Sequence, residues 1–235
     1  MKVVHIEARL KDVVRLPESF LAMLPKKVAF FTTIQFMSSM ESMLKQIKDS
    51  GREPLVFKTG HTRHKGQILG CNVQDYDEYS EGKDFDAFVY VGDGLFHPKA
   101  LIWKNEDKTV YSFNPFNNEQ IVVDKKDMEL IKKKHNASLS KFIMSTKIGV
   151  IITTKPGQMM LKRALELRNE YPDKEFFFMI DNTINFGALE DFPFVECWVN
   201  TACPRIGFDD SIKISKPIVN LEEIKKINPR RALIR

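Results

Sequence analysis

The chain has 235 residues, of which 43% are hydrophobic, 29% charged and 11% aromatic, enough for one large domain or two small ones, each with its own core. No window approaches the ~18 consecutive apolar residues of a spanning helix, and the opening MKVVHIEARL lacks a signal peptide's apolar stretch, which disfavours a membrane protein or a secreted precursor and leads us to expect a cytoplasmic one. Three cysteines without a close pairing motif suit a reducing compartment, and 36 Lys and Arg against 31 Asp and Glu (net +5) read as a solvated basic surface, with an anionic partner as the sharper alternative.

Along the chain, short β-branched and aromatic runs alternate with helical patterns, the signature of βα units and a parallel sheet. Residues 27–33, KVAFFTT, form a nearly continuous apolar run of the kind buried on both faces. A helix is expected over 37–50, where Met40, Met43, Leu44 and Ile47 recur at helical spacing and Gly51 provides the stop. Strands follow at 55–58 and 85–91, and the runs 100–104 and 109–113 beyond Pro98 read as a hairpin. A largely polar helix over 125–144 bridges to a second unit; its KKDMELIKKK stretch reads as a solvated face, not a nucleic-acid patch.

The programme then starts again. Residues 147–154, KIGVIITT, echo the opening strand, with Lys147 standing 120 residues after Lys27. A helix over 157–170 is expected to align Leu161, Ala164, Leu165 and Arg168, followed by a buried strand at 175–180 and another at 194–201. The expected fold is therefore α/β: two tandem similar domains, each a small parallel-rich sheet flanked by helices, over residues 25–124 and 125–235, after an N-terminal segment 1–24 in which residues 2–8 lean apolar. Ligands of open parallel sheets bind beyond the carboxyl ends of the strands, so one site shared between the repeats is expected there.

Both repeats place unusual residues at those ends. The first has Gln35 after its opening strand and Gly92-Asp93-Gly94-Leu95-Phe96-His97-Pro98 after 85–91; the second has Cys203-Pro204-Arg205 and on to Asp210 after 194–201. The Gly92–Gly94 triplet is either an ordinary tight turn or a loop that lets backbone approach a ligand, with Asp93 as acceptor and His97 as donor, acceptor or metal ligand. Spacing alone favours inert thiols at Cys71 and Cys203, although cysteines on separate βα loops can converge on iron–sulfur or zinc. Cys197 lies inside an apolar strand, up to ~20 Å of strand from Cys203, too far to share a cluster with it. His61 and His64 with Cys71 make only a weak zinc pattern, and Walker, GxGxxG, GxSxG and HExxH motifs are absent.

Taken together, Thr32-Thr-Ile-Gln35, Gly66-Gln-Ile-Leu-Gly-Cys71, Val91-Gly-Asp-Gly-Leu-Phe-His-Pro98 and Thr201-Ala-Cys-Pro-Arg-Ile206 with Asp209 resemble, in order, the diphthamide-synthesis family. That family makes 2-(3-amino-3-carboxypropyl)histidine on elongation factor 2. The resemblance implies noncanonical radical chemistry, in which three similar α/β domains each give one cysteine to a [4Fe–4S] cluster whose open iron binds the methionine part of S-adenosylmethionine. It assigns Cys71 and Cys203 to the second- and third-domain cluster ligands, and Gln35, Asp93, Gly94, His97 and Arg205 to the cofactor cavity, with a guanidinium fork suited to the methionine carboxylate. Cys197 matches no ligand, and on this resemblance the sequence is expected to begin about where the family's first domain, with its cysteine, ends. Three readings follow: a subunit of the synthase, completed by a homologous subunit or a second copy; a divergent cluster or metal enzyme with another substrate; and a noncatalytic paralogue that binds elongation factor 2 or a catalytic subunit. No membrane and no direct nucleic-acid contact is expected.

Overall fold

The structure is a computed structural model that describes residues 4, 6–80 and 82–227, in two compact units, Met1–Met128 and Glu129–Arg235. Of the apolar-leaning run 2–8, residues 2, 3 and 5 lie outside the described residues, and residues 4 and 6–8 are not in a strand.

The first unit runs α1 (Glu18–Met23), β1 (Lys27–Thr32), α2 (Met40–Asp49), β2 (Glu53–Leu55), β3 (Ala87–Val91), α3 (Phe96–Ile102), β4 (Val110–Asn114) and β5 (Glu119–Val123). The sheet order is β2-β1-β3-β4-β5, parallel except for the β4–β5 pair. Successive strand residues face opposite sides, so the adjacent Phe30 and Phe31 feed two cores. Phe30 packs with Phe20, Phe36, Met43, Ile47 and Phe113, whereas Phe31 meets the rings of Phe57, Tyr76 and Phe88.

The expected hairpin lies one element later. Residues 100–104 belong mostly to α3, because β3 and β4 run parallel, with Phe88 opposite Val110, and a parallel pair needs a crossover. Pro98 sits in the first turn of α3, where its missing N–H is no loss, and Ala100, Leu101 and Ile102 are buried. The true hairpin joins β4 to β5 through a turn in which Asn118 adopts φ 57°. The strand expected at 55–58 is the three-residue edge strand β2, where Pro54 is tolerated.

The second unit runs α4 (Glu129–Met144), β6 (Lys147–Thr153), α5 (Leu161–Glu170), β7 (Glu175–Asp181), β8 (Cys197–Asn200), β9 (Ile218–Asn220) and α6 (Leu221–Ile227). Its order, β7-β6-β8-β9, is all parallel and repeats β2-β1-β3-β4 of the first unit. Registers agree as well: Val28 faces Ala87 and Ile148 faces Cys197, so a residue of β3 corresponds to the residue 110 positions later in β8. The strand expected to be buried at 175–180 is an edge strand, and Ile180 is 54% exposed. In α5 the core residues are Ala164 and Leu167 with Tyr171 beyond; Leu165 is exposed, and Arg168 lies over the Phe178 ring. Among the described residues, no helix is long and apolar enough to cross a membrane.

Candidate functional site at the carboxyl ends of the strands

In the first unit, residues 59–72 fold back over the carboxyl end of β1. The Thr32 N–H donates to the Gly66 carbonyl (2.8 Å) and the Ile68 N–H to the Thr32 carbonyl (2.9 Å), forming a parallel bridge at Gln67. Gly66 is required there: its φ is 74°, and a Cβ would fall 2.9 Å from Met40 Sδ. Buried amides staple the loop. Asn72 Nδ2 donates to the Gly60 carbonyl (2.8 Å) and Asn72 Oδ1 accepts the Leu69 N–H (2.7 Å), while Gln67 Oε1 accepts the N–H groups of Arg63 (3.0 Å) and His64 (3.2 Å). Cys71, between Gly70 and Asn72, is exposed.

The Cys71 loop packs against the segment that follows β3. A Cβ on Gly70 would lie 1.8 Å from the Phe96 ring, so glycine alone fits at this contact. Asp93 and Gly94 are exposed, with Gly94 at φ 60°, and His97 is half-buried. Gly92 has a different reason: a Cβ there would come within 2.3 Å of Tyr90 Oη. That buried phenol lies 3.0 Å from His97 Nδ1, with the rings stacked at 5.5 Å, and burial pushes its pKa up. Gln35, in the 3-10 turn Ile34–Ser39 after β1, is half-buried, and its carbonyl accepts the Leu10 N–H (2.7 Å).

The N-terminal segment also reaches this loop. Glu7 Oε1 lies 2.8 Å from His64 Nε2, Glu7 Oε2 takes Arg9 Nη2 at 2.6 Å, and Arg63 stands 3.7 Å away. The His64 hydrogen bond, then that of Arg9, hold the Glu7 carboxyl down at about 2. His64 thus engages a carboxylate, and among the described residues no three His, Cys, Asp or Glu side chains are grouped to hold a metal.

In the second unit the turn after β8 is fixed by two buried asparagines. Asn200 Nδ2 donates to the Cys203 carbonyl (2.8 Å), Asn200 Oδ1 accepts the Ala202 N–H (3.0 Å), and Asn220 Nδ2 of β9 donates to the Pro204 carbonyl (2.9 Å). Cys203 is partly exposed and precedes the 3-10 turn Pro204–Gly207. Arg205 is 2% exposed; its Nε donates to Asp209 Oδ1 at 3.0 Å and its Nη2 to Asp209 Oδ2, so the fork already holds a carboxylate. Cys197 differs in kind: fully buried at the start of β8, its thiol is pushed up to about 12 by burial.

Cys71, the Asp93–Gly94 turn and His97 thus gather on neighbouring loops at one end of the first sheet, and Cys203 and Arg205 share one turn at the equivalent end of the second. Gln67, Tyr90, Asn72, Asn200 and Asn220, which hold these loops, escaped the sequence reading. An Asn beside a Gly-Cys pair is the one local signal of this kind.

Four loop segments in fixed order, on two sheets of one strand order, are what a family comparison can decide. The family model described as "Putative diphthamide synthesis protein" matches residues 1–231. This chain belongs to that family. It is 30% identical over 207 residues to the 2-(3-amino-3-carboxypropyl)histidine synthase of Pyrococcus horikoshii (86% of this chain, 57% of that protein). Identity is 31% over 205 residues to the synthase of Methanocaldococcus jannaschii (85% and 51%), and 26% over 197 residues to subunit 1 of the Caenorhabditis elegans synthase (83% and 48%). The chain spans about half the length of the curated relatives it matches. Among solved structures, Dph2 from Pyrococcus horikoshii with a 4Fe-4S cluster aligns with TM-score 0.70 at 26% identity, covering 88% of this chain and 58% of that one. A second structure of Pyrococcus horikoshii Dph2 aligns with TM-score 0.73 at 25% identity, covering 92% and 63%.

Proposed function

We propose that this diphthamide-synthesis family member acts as a subunit in the transfer of a 3-amino-3-carboxypropyl group from S-adenosylmethionine to a histidine of elongation factor 2, with Cys71 and Cys203 as thiolate ligands of a [4Fe–4S] cluster. The observation that carries the proposal is the division among the three cysteines. Cys71 is exposed and Cys203 partly exposed, each on a stapled turn at the carboxyl end of its sheet, whereas Cys197 is sealed in the core with its thiol held protonated.

The donor set fits such a cluster in part. Two thiols suit two ligand positions, and the proposal assigns the remaining one to a homologous subunit or a second copy. A bound cluster would supply the single electron for reductive cleavage of S-adenosylmethionine, with methylthioadenosine as the leaving group. The chain's own residues bind and orient. The exposed Asp93 carboxylate accepts from the cofactor's ammonium, the left-handed turn at Gly94 lets backbone approach it, and Gln35 and His97 line the same end of the sheet. Arg205, two residues after Cys203 with its guanidinium on Asp209, is the cation assigned to the methionine carboxylate of the cofactor.

The test is transfer of label from S-adenosylmethionine, labelled in its carboxypropyl carbons, to elongation factor 2 under anaerobic reduction, with the chain and a homologous subunit together. Transfer is expected from the wild type and from Cys197→Ala, and a loss of at least about tenfold from Cys71→Ser and Cys203→Ala. Transfer that survives both ligand-site variants sinks the proposal in favour of the noncatalytic reading.

A further inference from the structure

Charge is spread unevenly along the first unit. From residue 54 to residue 74 there is no Asp or Glu, while Lys58, His61, Arg63, His64 and Lys65 fall close together ahead of Cys71. Thr59, Thr62, Gly66 and Gln67 are buried, whereas Lys58, His61, Arg63 and Lys65 are exposed. The backbone that displays these cations is fixed from inside: Thr62 Oγ1 donates to the Thr59 carbonyl at 2.8 Å, and the buried Gln67 Oε1 takes the N–H groups of Arg63 and His64. A loop held in this way has little backbone freedom left to lose when a ligand arrives. One carboxylate already meets the face. It belongs to Glu7, on residues 6–11, which form neither helix nor strand. A carboxylate only accepts, so His64 Nε2 donates to Glu7 Oε1 at 2.8 Å; Arg63 Nη1 stands 3.7 Å from the same oxygen, and Arg9 Nη2 holds the other at 2.6 Å. Among the described residues, no carboxylate pairs with Lys58, His61 or Lys65.

We infer that the exposed face of residues 58–65 is a docking surface for an acidic, extended segment of a protein partner, with Lys58, Arg63 and Lys65 pairing its carboxylates. Glu7 shows the chemistry that the face accepts, a carboxylate on an extended peptide, and it competes for one position in the chain by itself. Single-stranded nucleic acid fits less well, because such sites add stacking rings to their cations and there is no Phe, Tyr or Trp between residues 58 and 75. Beside Cys71, the surface suits the protein whose histidine is modified; that choice of partner rests on the proposed function, and the surface does not. Exposed pairs each contribute little, so the face acts by number and by steering, and its grip weakens as salt rises.

The experiment is fluorescence anisotropy on the full chain at low salt with a labelled peptide of alternating Glu and Gly, its Gln-for-Glu counterpart and an oligothymidylate of the same length. The Glu peptide is expected to bind and the Gln peptide not to. Arg63→Gln combined with Lys65→Gln should weaken binding about fivefold, and Glu7→Gln should strengthen it about threefold, while Glu18→Gln, the same charge change at an exposed position of α1, leaves it unchanged. Lys58→Gln gives a second reading on the same face should the double variant fail to fold. Binding that is insensitive to these lysines and Arg63, or equal gains from Glu7→Gln and Glu18→Gln, overturns the inference; tighter binding of the oligothymidylate overturns it in favour of nucleic acid. In the labelled transfer assay the double variant should raise KM for elongation factor 2 about fivefold with kcat unchanged, and an unchanged KM removes the modified protein as the partner. The peptide assay needs neither cluster nor transfer, so its failure leaves the cluster proposal standing, and absence of transfer leaves the surface in place.

Discussion

Side chains of one type do different work here according to where the fold puts them. The apolar run around Cys197 already set it apart in the sequence, and position along a strand explains the difference: Cys197 opens β8 inside the core, whereas Cys203 lies beyond its carboxyl end. Arg205 is buried and its fork is held by the partly exposed Asp209, in the turns that follow the one fixed by Asn200 and Asn220. Asp209→Asn should therefore cost about 1–3 kcal/mol, because an amide oxygen can accept from only one arm of the fork that the carboxylate holds with both, and should lower the denaturant midpoint at unchanged slope. Glu7 carries a pH signature. Its carboxyl is depressed in the folded chain, so its contribution is complete above its ordinary value of 4.5 and is lost as pH falls toward about 2. Glu7→Gln should accordingly melt below the wild type at pH 7, with the gap closing as pH approaches 2.

At the scale of elements, the strands that carry continuous apolar runs were readable and the connections were not. The buried run Ala100-Leu101-Ile102 fits a helix or a strand equally well by composition, and only the parallel pairing of β3 with β4 decides for the helix. β9 has three residues, too few for any pattern, and the loop 59–72 has no periodicity because its order comes from buried amides. The Gly70–Phe96 contact joins that loop to α3. Gly70→Ala should destabilise the first unit by about 1–3 kcal/mol through overpacking and raise the labelling rate of Cys71 by a thiol reagent; Phe96→Ala in the same chain should recover most of both effects. If the two substitutions prove additive, the contact does not hold the loop.

At the scale of the whole molecule, the duplication was the most legible feature. Lys27 and Lys147 open equivalent strands, and the orders β2-β1-β3-β4 and β7-β6-β8-β9 repeat one plan. The plan leaves one cysteine at the carboxyl end of each sheet, Cys71 exposed and Cys203 partly exposed, and the proposed function has both serving as thiolate ligands of one cluster. The direct test is anaerobic reconstitution with iron and sulfide alongside a homologous subunit, counting both elements and recording spectra for the wild type, Cys71→Ser, Cys203→Ala and Cys197→Ala. We expect iron and sulfide in equal amounts in the wild type and Cys197→Ala, a spectrum perturbed by S-adenosylmethionine, and a loss of most bound iron in the other two. Equal iron in all four proteins, or none in any, would contradict the account.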